Sequence, residues 1–531
     1  MSKMFFRQIR NAVLISLALA FAVPPQIEAQ STKKKSTASS TRKKAPARRA
    51  TRRPGRRAAR PRGPVVPAVR YSITRSAADL KATLGSLTAR IQSGTFGIMV
   101  ISVTRGDTLF ANNAGVRMMP ASTLKLLTSA IAFERLGPNY QFSTDALRDG
   151  EVSADGTLNG NLYIRGDGDP ALSGKFLPGG SGAPMSRLAE LVAAQGIKRI
   201  TGSVIGDASG FDAQKIPEGW LTRYLQASYA ARVSALSLNE NLVAVAVSPG
   251  APGRPANVTL EPSTSSIPLV NAVRTVGGGG ASLGFRKRSD GTIEARGAIG
   301  ARSGTRKYVY IVEDPASFTT GAFNNALQAR GIVIDNAIRV GQTPPGAKKV
   351  ASLLSPPLAS MVAVMNRESV NHYAELIFRN AARGPKRDVQ GSAASARALL
   401  RSFFASTIKT DSASLYFADG SGLSTLNRIT PRAMTQMLAY SHRASWGPWL
   451  HSSLPVAGDS ELLRRRMRNT PAEGNLHAKT GTTNDVIALA GYVTAANGEV
   501  IAFTFLYNGR DRWSAKAMID VMSETLAGFG R

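Results

Sequence analysis

A serine hydroxyl is a poor nucleophile until a neighbouring base takes its proton. Ser122-Thr123-Leu124-Lys125 sets such a pair three positions apart, which on a helix puts both side chains on one face. A lysine is a base only when neutral, so its pKa must be lowered, and burial or a second cation would lower it. Lys479, in Lys479-Thr480-Gly481-Thr482, is the candidate second cation. No His–Asp pair is evident as an alternative base, and a G-x-S-x-G elbow is absent; Gly420-Ser421-Gly422 does not match it. The four histidines, His372, His442, His451 and His477, show no HExxH spacing. There is no cysteine, which excludes a thiol nucleophile, disulfides and thiolate metal sites. Nothing here asks for a metal or a cofactor.

The elements that must position these residues follow from periodicity and turn signals. A helix over about 122–136 is stopped by Gly137-Pro138. Its first turn would offer unpaired backbone N–H groups to an alkoxide or oxyanion. Leu80, Leu84, Leu87 and Ile91 predict a preceding helix, 96–103 a strand and Gly106-Asp107 a turn. Helical patterns recur over 358–378 and 392–404. The C-terminal part reads strand 486–493, strand 500–507, helix 513–529, so Lys479-Thr480-Gly481-Thr482 sits where a strand edge could align a substrate. Residues 143–350 are rich in glycine and short β-type runs such as 242–247 and 308–312, and predict β-rich inserted material.

The chain has 531 residues and a net charge of +33. Residues 31–70 alone hold fifteen lysines and arginines, no acid and no aromatic residue. Such a stretch buries no core and reads as disordered. It is a plain solvated linker or a cationic tether to anionic wall polymers or membrane. The charge also fits nucleic acid, but export and the missing aromatics do not. Ahead of it, Lys3, Arg7 and Arg10 precede a run at 12–23 that is apolar but for Ser16, and Ile27-Glu28-Ala29 ends in a small residue. This is a signal-peptide pattern with cleavage after Ala29; the alternative is a buried N-terminal helix. A run of twelve residues falls short of the roughly 20 that span a bilayer.

Three motifs stand in order: Ser122-Thr123-Leu124-Lys125 (S-x-x-K), Ser369-Val370-Asn371 (S-x-N) and Lys479-Thr480-Gly481-Thr482 (K-T-G-T). Singly they are weak, since S-x-x-K also occurs at Ser31, Ser40 and Ser406 and S-x-N at Ser237. Jointly they are the signature set of penicillin-binding proteins and serine β-lactamases. Further blocks narrow the resemblance. They are Asp419-Gly420-Ser421-Gly422-Leu423-Ser424, Leu454-Pro455-Val456-Ala457-Gly458, His477-Ala478 ahead of Lys479, and Ala490-Gly491-Tyr492-Val493. Earlier come Gly166-Asp167-Gly168-Asp169-Pro170, Gly206-Asp207 and Ser237-Leu238-Asn239-Glu240-Asn241. Over about 71–531 the chain resembles the D-alanyl-D-alanine carboxypeptidase/endopeptidase family, the class C low-molecular-mass penicillin-binding proteins. The 247 positions between Ser122 and Ser369 agree with that family, whose catalytic domain is interrupted by inserted domains. Class A β-lactamases have a much shorter gap.

The resemblance implies an α/β (α+β) penicillin-binding/serine β-lactamase-like catalytic domain, an antiparallel sheet flanked by helices, with β-rich inserted domains; composition adds a disordered basic N-terminal segment ahead of it. The expected division is 1–29 signal peptide and 30–70 cationic linker, both from composition, with 71–142 and 351–531 as catalytic domain and 143–350 as an inserted region in two subdomains. The resemblance also implies roles. Ser122 attacks the carbonyl between two D-alanines of a peptidoglycan peptide, Lys125 takes its proton, and Ser369 relays a proton to the leaving amine beside Lys479. Asn371 holds the substrate backbone. Lys479, Thr480 and Thr482, with Gly481 between them, hold the terminal carboxylate or its β-lactam equivalent. The N–H groups of Ser122 and Thr482 form the oxyanion hole. Two departures stand out: Val370 where Asp is frequent, and Asp459-Ser460-Glu461-Leu462 where the family more often has a Gly-Thr pair. Asp169 and Asp207 read as structural turn residues. The run Arg464-Arg465-Arg466-Met467-Arg468 reads as a solvated face, with contact to an acidic substrate as the alternative.

Carboxypeptidase and endopeptidase activities both fit. A β-lactamase would need fast deacylation, and nothing resembles the dedicated glutamate of class A enzymes. A non-catalytic wall-binding protein is the rival of another class, and the intact Ser122, Lys125, Ser369, Asn371 and Lys479 weigh against it.

Overall fold

The computed structural model describes residues 69–531 apart from positions 92 and 388. The signal-peptide pattern, the S-x-x-K copies at Ser31 and Ser40 and all but the end of the cationic tract lie outside the described residues.

Strands β1 (Gly94–Ser102), β2 (Thr108–Asn112), β3 (His477–Thr482), β4 (Val486–Thr494) and β5 (Val500–Gly509) form one five-stranded antiparallel sheet, ordered β3-β4-β5-β1-β2. β4 and β5 are nearly continuous apolar runs, and both are buried on both faces. That pattern requires cover on each side of the sheet. Alternation of side chains divides the residues between two cores. Val486, Ala488, Ala490, Tyr492, Ala502 and Leu506 pack with helices α2 (Lys125–Leu136), α3 (Leu358–Arg367), α4 (Asn371–Arg383) and α5 (Pro431–Arg443). Ile487, Leu489, Val493, Ile501, Phe503, Phe505 and Tyr507 pack with α1 (Ala77–Ala89) and α6 (Arg512–Ala527). Three of the residues on the α2 side are alanines, so helices approach closely there. On the other side each buried phenylalanine contributes roughly 1.5–3 kcal/mol.

The helical pattern expected over 358–378 is two helices. The break falls at Ser369, which holds φ at 60°, and α4 restarts at Asn371. The apolar period runs through this break because both halves feed the same core.

Residues 143–353 hold a core of their own. It rests on a five-stranded sheet of Ser143–Arg148, Leu162–Arg165, Val204–Asp207, Arg339–Val340 and Lys348–Leu354, with smaller sheets beside it. The expectation of β-rich material is incomplete, because helices Ala183–Ala193 and Pro315–Gln328 pack into that core. Where the chain leaves and returns, Phe142 and Ser355 exchange hydrogen bonds: Phe142 N–H donates to Ser355 Oγ and Ser355 N–H to the Phe142 carbonyl, both at 2.9 Å. Among the described residues no helix is long and apolar enough to cross a membrane.

Candidate active site

Ser122 lies in a tight turn of helix, Ala121–Leu124, that leads directly into α2. Two glycines let other segments press on this turn. A Cβ on Gly422, which has φ of 84°, would stand 1.9 Å from the Ala121 carbonyl oxygen. One on Gly481 would stand 2.8 Å from that of Pro120. Gly481 therefore brings the edge strand β3 against the turn that carries Ser122.

Lys125 is fully buried. Its Nζ lies 3.1 Å from Ser122 Oγ, 2.6 Å from Asn371 Oδ1 and 2.8 Å from the Ser421 carbonyl oxygen. The Asn371 amide is oriented by its Nδ2, which donates to the Tyr229 carbonyl at 2.9 Å. When the Lys125 amine is neutral, valence fixes the direction of these contacts. The carbonyls of Asn371 and Ser421 only accept, so they take the two N–H bonds of a neutral amine. The remaining lone pair then faces the hydroxyl of Ser122. Burial lowers the Lys125 pKa to about 7, against Asp419 and Glu375, which raise it.

Lys479, on β3, is also fully buried. It donates to Ser369 Oγ at 2.9 Å and to the Thr480 carbonyl at 3.0 Å. Burial first, and Lys125 second, hold its pKa well below the usual lysine value. The second-cation logic thus acts on Lys479, whereas for Lys125 the chief cause is burial. Thr480 is half-buried and Thr482 exposed on the free edge of β3. All eight sequence-nominated residues therefore lie on three elements that meet: the turn into α2, the start of α4 with Ser369 before it, and β3. Among the described residues no cluster of His, Asp or Glu could hold a metal ion.

Several supports carried no separate signal in the sequence. Asp419 is buried and accepts five hydrogen bonds: from Gly422 N–H at 2.9 Å, Asn427 Nδ2 at 2.8 Å, Trp220 Nε1 at 2.8 Å, Ser421 Oγ at 3.1 Å and Ser424 N–H at 2.7 Å. It ties down the loop whose Ser421 carbonyl meets Lys125. Trp220 reaches it from within 143–353. Glu375 and Arg379 form a fully buried pair on α4. The Asp-Gly-Ser-Gly run, dense in residues that turn the chain, was the one local sign of this loop.

The other nominated residues lie elsewhere in the network. Asp169 accepts from Ala171 N–H at 2.7 Å, as a turn residue does, and Asp207 from the N–H groups of nearby Ser209 and distant Thr343 at 2.8 Å each, a structural tie at the end of its strand. Arg464 and Arg465 are exposed, Met467 is buried and Arg466 is tied to Asp520 of α6.

A family model described as the D-Ala-D-Ala carboxypeptidase 3 (S13) family matches residues 77–528. The chain belongs to this family. As an S13 member it is a serine-type D-Ala-D-Ala carboxypeptidase, a hydrolase. A D-alanyl-D-alanine carboxypeptidase of Actinomadura sp. is 29% identical over 456 residues, covering 83% of this chain and 82% of the relative. The crystal structure of penicillin binding protein 4 (dacB) from Haemophilus influenzae aligns with a TM-score of 0.69 at 24% identity, over 83% of this chain and 97% of the other. A second structure of that protein, complexed with a novel β-lactam, aligns at 0.64 and 23% over 83% and 98%. The likeness establishes for this S13 chain the mixed α+β fold of a penicillin-binding protein, with a helix-flanked antiparallel sheet.

Proposed function

We propose that this protein is an exported D-Ala-D-Ala carboxypeptidase/endopeptidase that cuts peptidoglycan stem peptides or cross-links through an acyl-enzyme on Ser122. The observation that carries the reading is the buried Lys125 amine, 3.1 Å from Ser122 Oγ, with its other two contacts both carbonyl acceptors. Ser122 Oγ forms a bond to the carbonyl carbon of the penultimate D-alanine as its proton passes to Lys125. The C–N bond to the last D-alanine then breaks, and its nitrogen takes a proton delivered through Ser369 beside Lys479. Water attacks the ester, returns the proton to Ser122 and releases the shortened peptide. Asn371 holds the substrate backbone, and Lys479, Thr480, Gly481 and Thr482 line the place of its carboxylate. The N–H groups of Ser122 and Thr482 serve the oxyanion, where losing one donor costs about 3 kcal/mol.

In this reading 71–142 and 351–531 form the catalytic domain and 143–350 an insertion. Residues 1–29 direct export, and the 31–70 tract contacts anionic wall polymers or membrane. β-Lactams mimic the terminal dipeptide and trap the ester.

The test is the intact mass of the full chain after exposure to benzylpenicillin, beside Ser122→Ala. A stable adduct on the parent alone supports the reading. Rapid turnover without an adduct indicates a β-lactamase, and neither adduct nor turnover in folded protein indicates a silent wall-binding protein.

A further inference from the structure

Lys125 owes its orientation to two carbonyl acceptors, and Glu375 grips the backbone that leads into the second of them. Glu375 is fully buried on α4, one turn after Asn371. Its Oε1 accepts from Gly420 N–H at 3.0 Å and from Ser421 N–H at 2.9 Å. Its Oε2 accepts from Arg379 Nη1 at 2.9 Å. On the other side of the same loop, Thr128 Oγ1 donates to the Gly420 carbonyl at 2.6 Å. The peptide groups of Gly420 and Ser421 are thus gripped by a carboxylate and by a hydroxyl of α2. The Ser421 carbonyl that meets Lys125 Nζ belongs to the next peptide group, whose Gly422 N–H is held by Asp419 Oδ1 at 2.9 Å, so Glu375 fixes the backbone leading into that carbonyl and Asp419 the backbone leaving it.

We infer that Glu375 is a positioning residue for acylation: it clamps the Gly420–Ser421 amides so that the Ser421 carbonyl takes one N–H of Lys125 and turns the amine lone pair to Ser122. This rests on Lys125 being the base of Ser122. One helix then controls both acceptors, since Asn371 opens α4 and Glu375 follows a turn later. Glu375 acts as a carboxylate. Burial and Asp419 raise its pKa to about 7, yet the hydrogen-bond partners of both its oxygens are donors, so a proton placed there would find no acceptor. The titratable groups that act on Lys125 or are acted on by it are Asp419 from the loop, Glu375 from α4 and Lys479 from β3; Arg379, paired with Glu375, and the neutral His372 lie on the same helix α4. Glu375 therefore also contributes negative charge that favours the ammonium form.

The experiment is the second-order acylation rate of the full chain with benzylpenicillin from pH 5 to 9, for the parent, Glu375→Leu and Glu375→Gln, with Ser122→Ala as control and thermal unfolding to verify the fold. Leucine removes the clamp, and the high-pH plateau falls by roughly tenfold or more, as misplacement of a catalytic group does. Glutamine keeps an Oε1 acceptor for the two amides and removes the charge; its Nε2 then faces the Arg379 donor, so its stability falls while the clamp on the loop stays. Its plateau stays within about threefold, and its acid limb moves to lower pH by about half a unit or more. A folded leucine variant with an unchanged plateau overturns the proposal, as does a glutamine variant whose plateau collapses or whose limb does not move. If the leucine variant does not fold, the glutamine profile decides. An adduct on Ser122→Ala overturns the nucleophile reading itself, and the clamp with it; an unmoved Glu375 profile on a protein that needs Ser122 overturns the clamp alone.

Discussion

Ser369 Oγ accepts a hydrogen bond from Lys479 Nζ at 2.9 Å while the Ser369 backbone sits at φ of 60°. A non-glycine residue in that region stores about 1–3 kcal/mol. The strain sets the hydroxyl against the lysine at the break between two helices. Ser369→Ala keeps the strain and loses the hydroxyl, whereas Ser369→Gly loses both. Acylation by benzylpenicillin falls by roughly a hundredfold or more in each, the usual scale of a lost proton-transfer group. Glycine nevertheless melts above alanine, which differential scanning calorimetry reads directly.

With Lys125 as the base of Ser122, as proposed, the rate of acylation is expected to follow the neutral fraction of that amine. Its pKa is lowered to about 7 by burial. Below that value the amine is protonated and unable to take the Ser122 proton, so the rate rises about tenfold per pH unit and then levels above it. Stopped-flow acylation between pH 5 and 9 checks this. A limb near the ordinary lysine value of about 10.4 would assign the base elsewhere. Folding carries the opposite-signed counterpart of a raised pKa. Between about 7 and the unfolded value the unfolded chain binds the proton that the folded one has released, so this group makes stability rise with pH across that window.

Gly422→Ala puts a methyl group 1.9 Å from the Ala121 carbonyl oxygen at a φ of 84°. The turn carrying Ser122 must move, and a displacement near 1 Å costs roughly a hundredfold in rate. The variant acylates slowly at all pH values, without a shifted limb, and is less stable by about 1–3 kcal/mol.

Trp220→Phe removes one of five donors to Asp419 and leaves a buried carboxylate oxygen less well satisfied. Urea unfolding is expected to show a loss of about 1–3 kcal/mol, together with slower acylation through the loosened loop. Trp513, which is 77% exposed, is the control. Trp513→Phe stays within about 0.5 kcal/mol of the parent.

How much the sequence discloses depends on how local the cause is. Ser122 and Lys125 are legible because one helical turn joins them, and β4 and β5 because an uninterrupted apolar run marks a strand buried on both faces. Ser369 is harder. Its motif is visible, but its left-handed backbone is not, because the apolar rhythm of α3 and α4 continues across it. Glu375, Trp220 and Tyr229 carry no individual signal, since the loop or side chain each one holds lies tens or hundreds of positions away, and Asp419 shows only as part of the Asp419-Gly420-Ser421-Gly422 run. The helices at Ala183–Ala193 and Pro315–Gln328 are obscured by the glycine-rich, β-type segments around them, and packing against their sheets supplies what local composition does not.

Phe142 and Ser355 are bound to each other while more than two hundred residues run between them. To the sheet and helices around Ser122, that long excursion has the end-to-end span of a hairpin. Chain-closure entropy grows only with the logarithm of loop length, and a segment with its own core does not behave as a floppy loop at all. Ancestral genes could therefore have lengthened, trimmed or exchanged the excursion with little disturbance to the framework outside it. The restriction falls at the few points, such as Trp220 on Asp419 and the Tyr229 carbonyl on Asn371, where the excursion leans back on the reaction centre. Those are the positions at which a transplanted segment would have to be matched to its host.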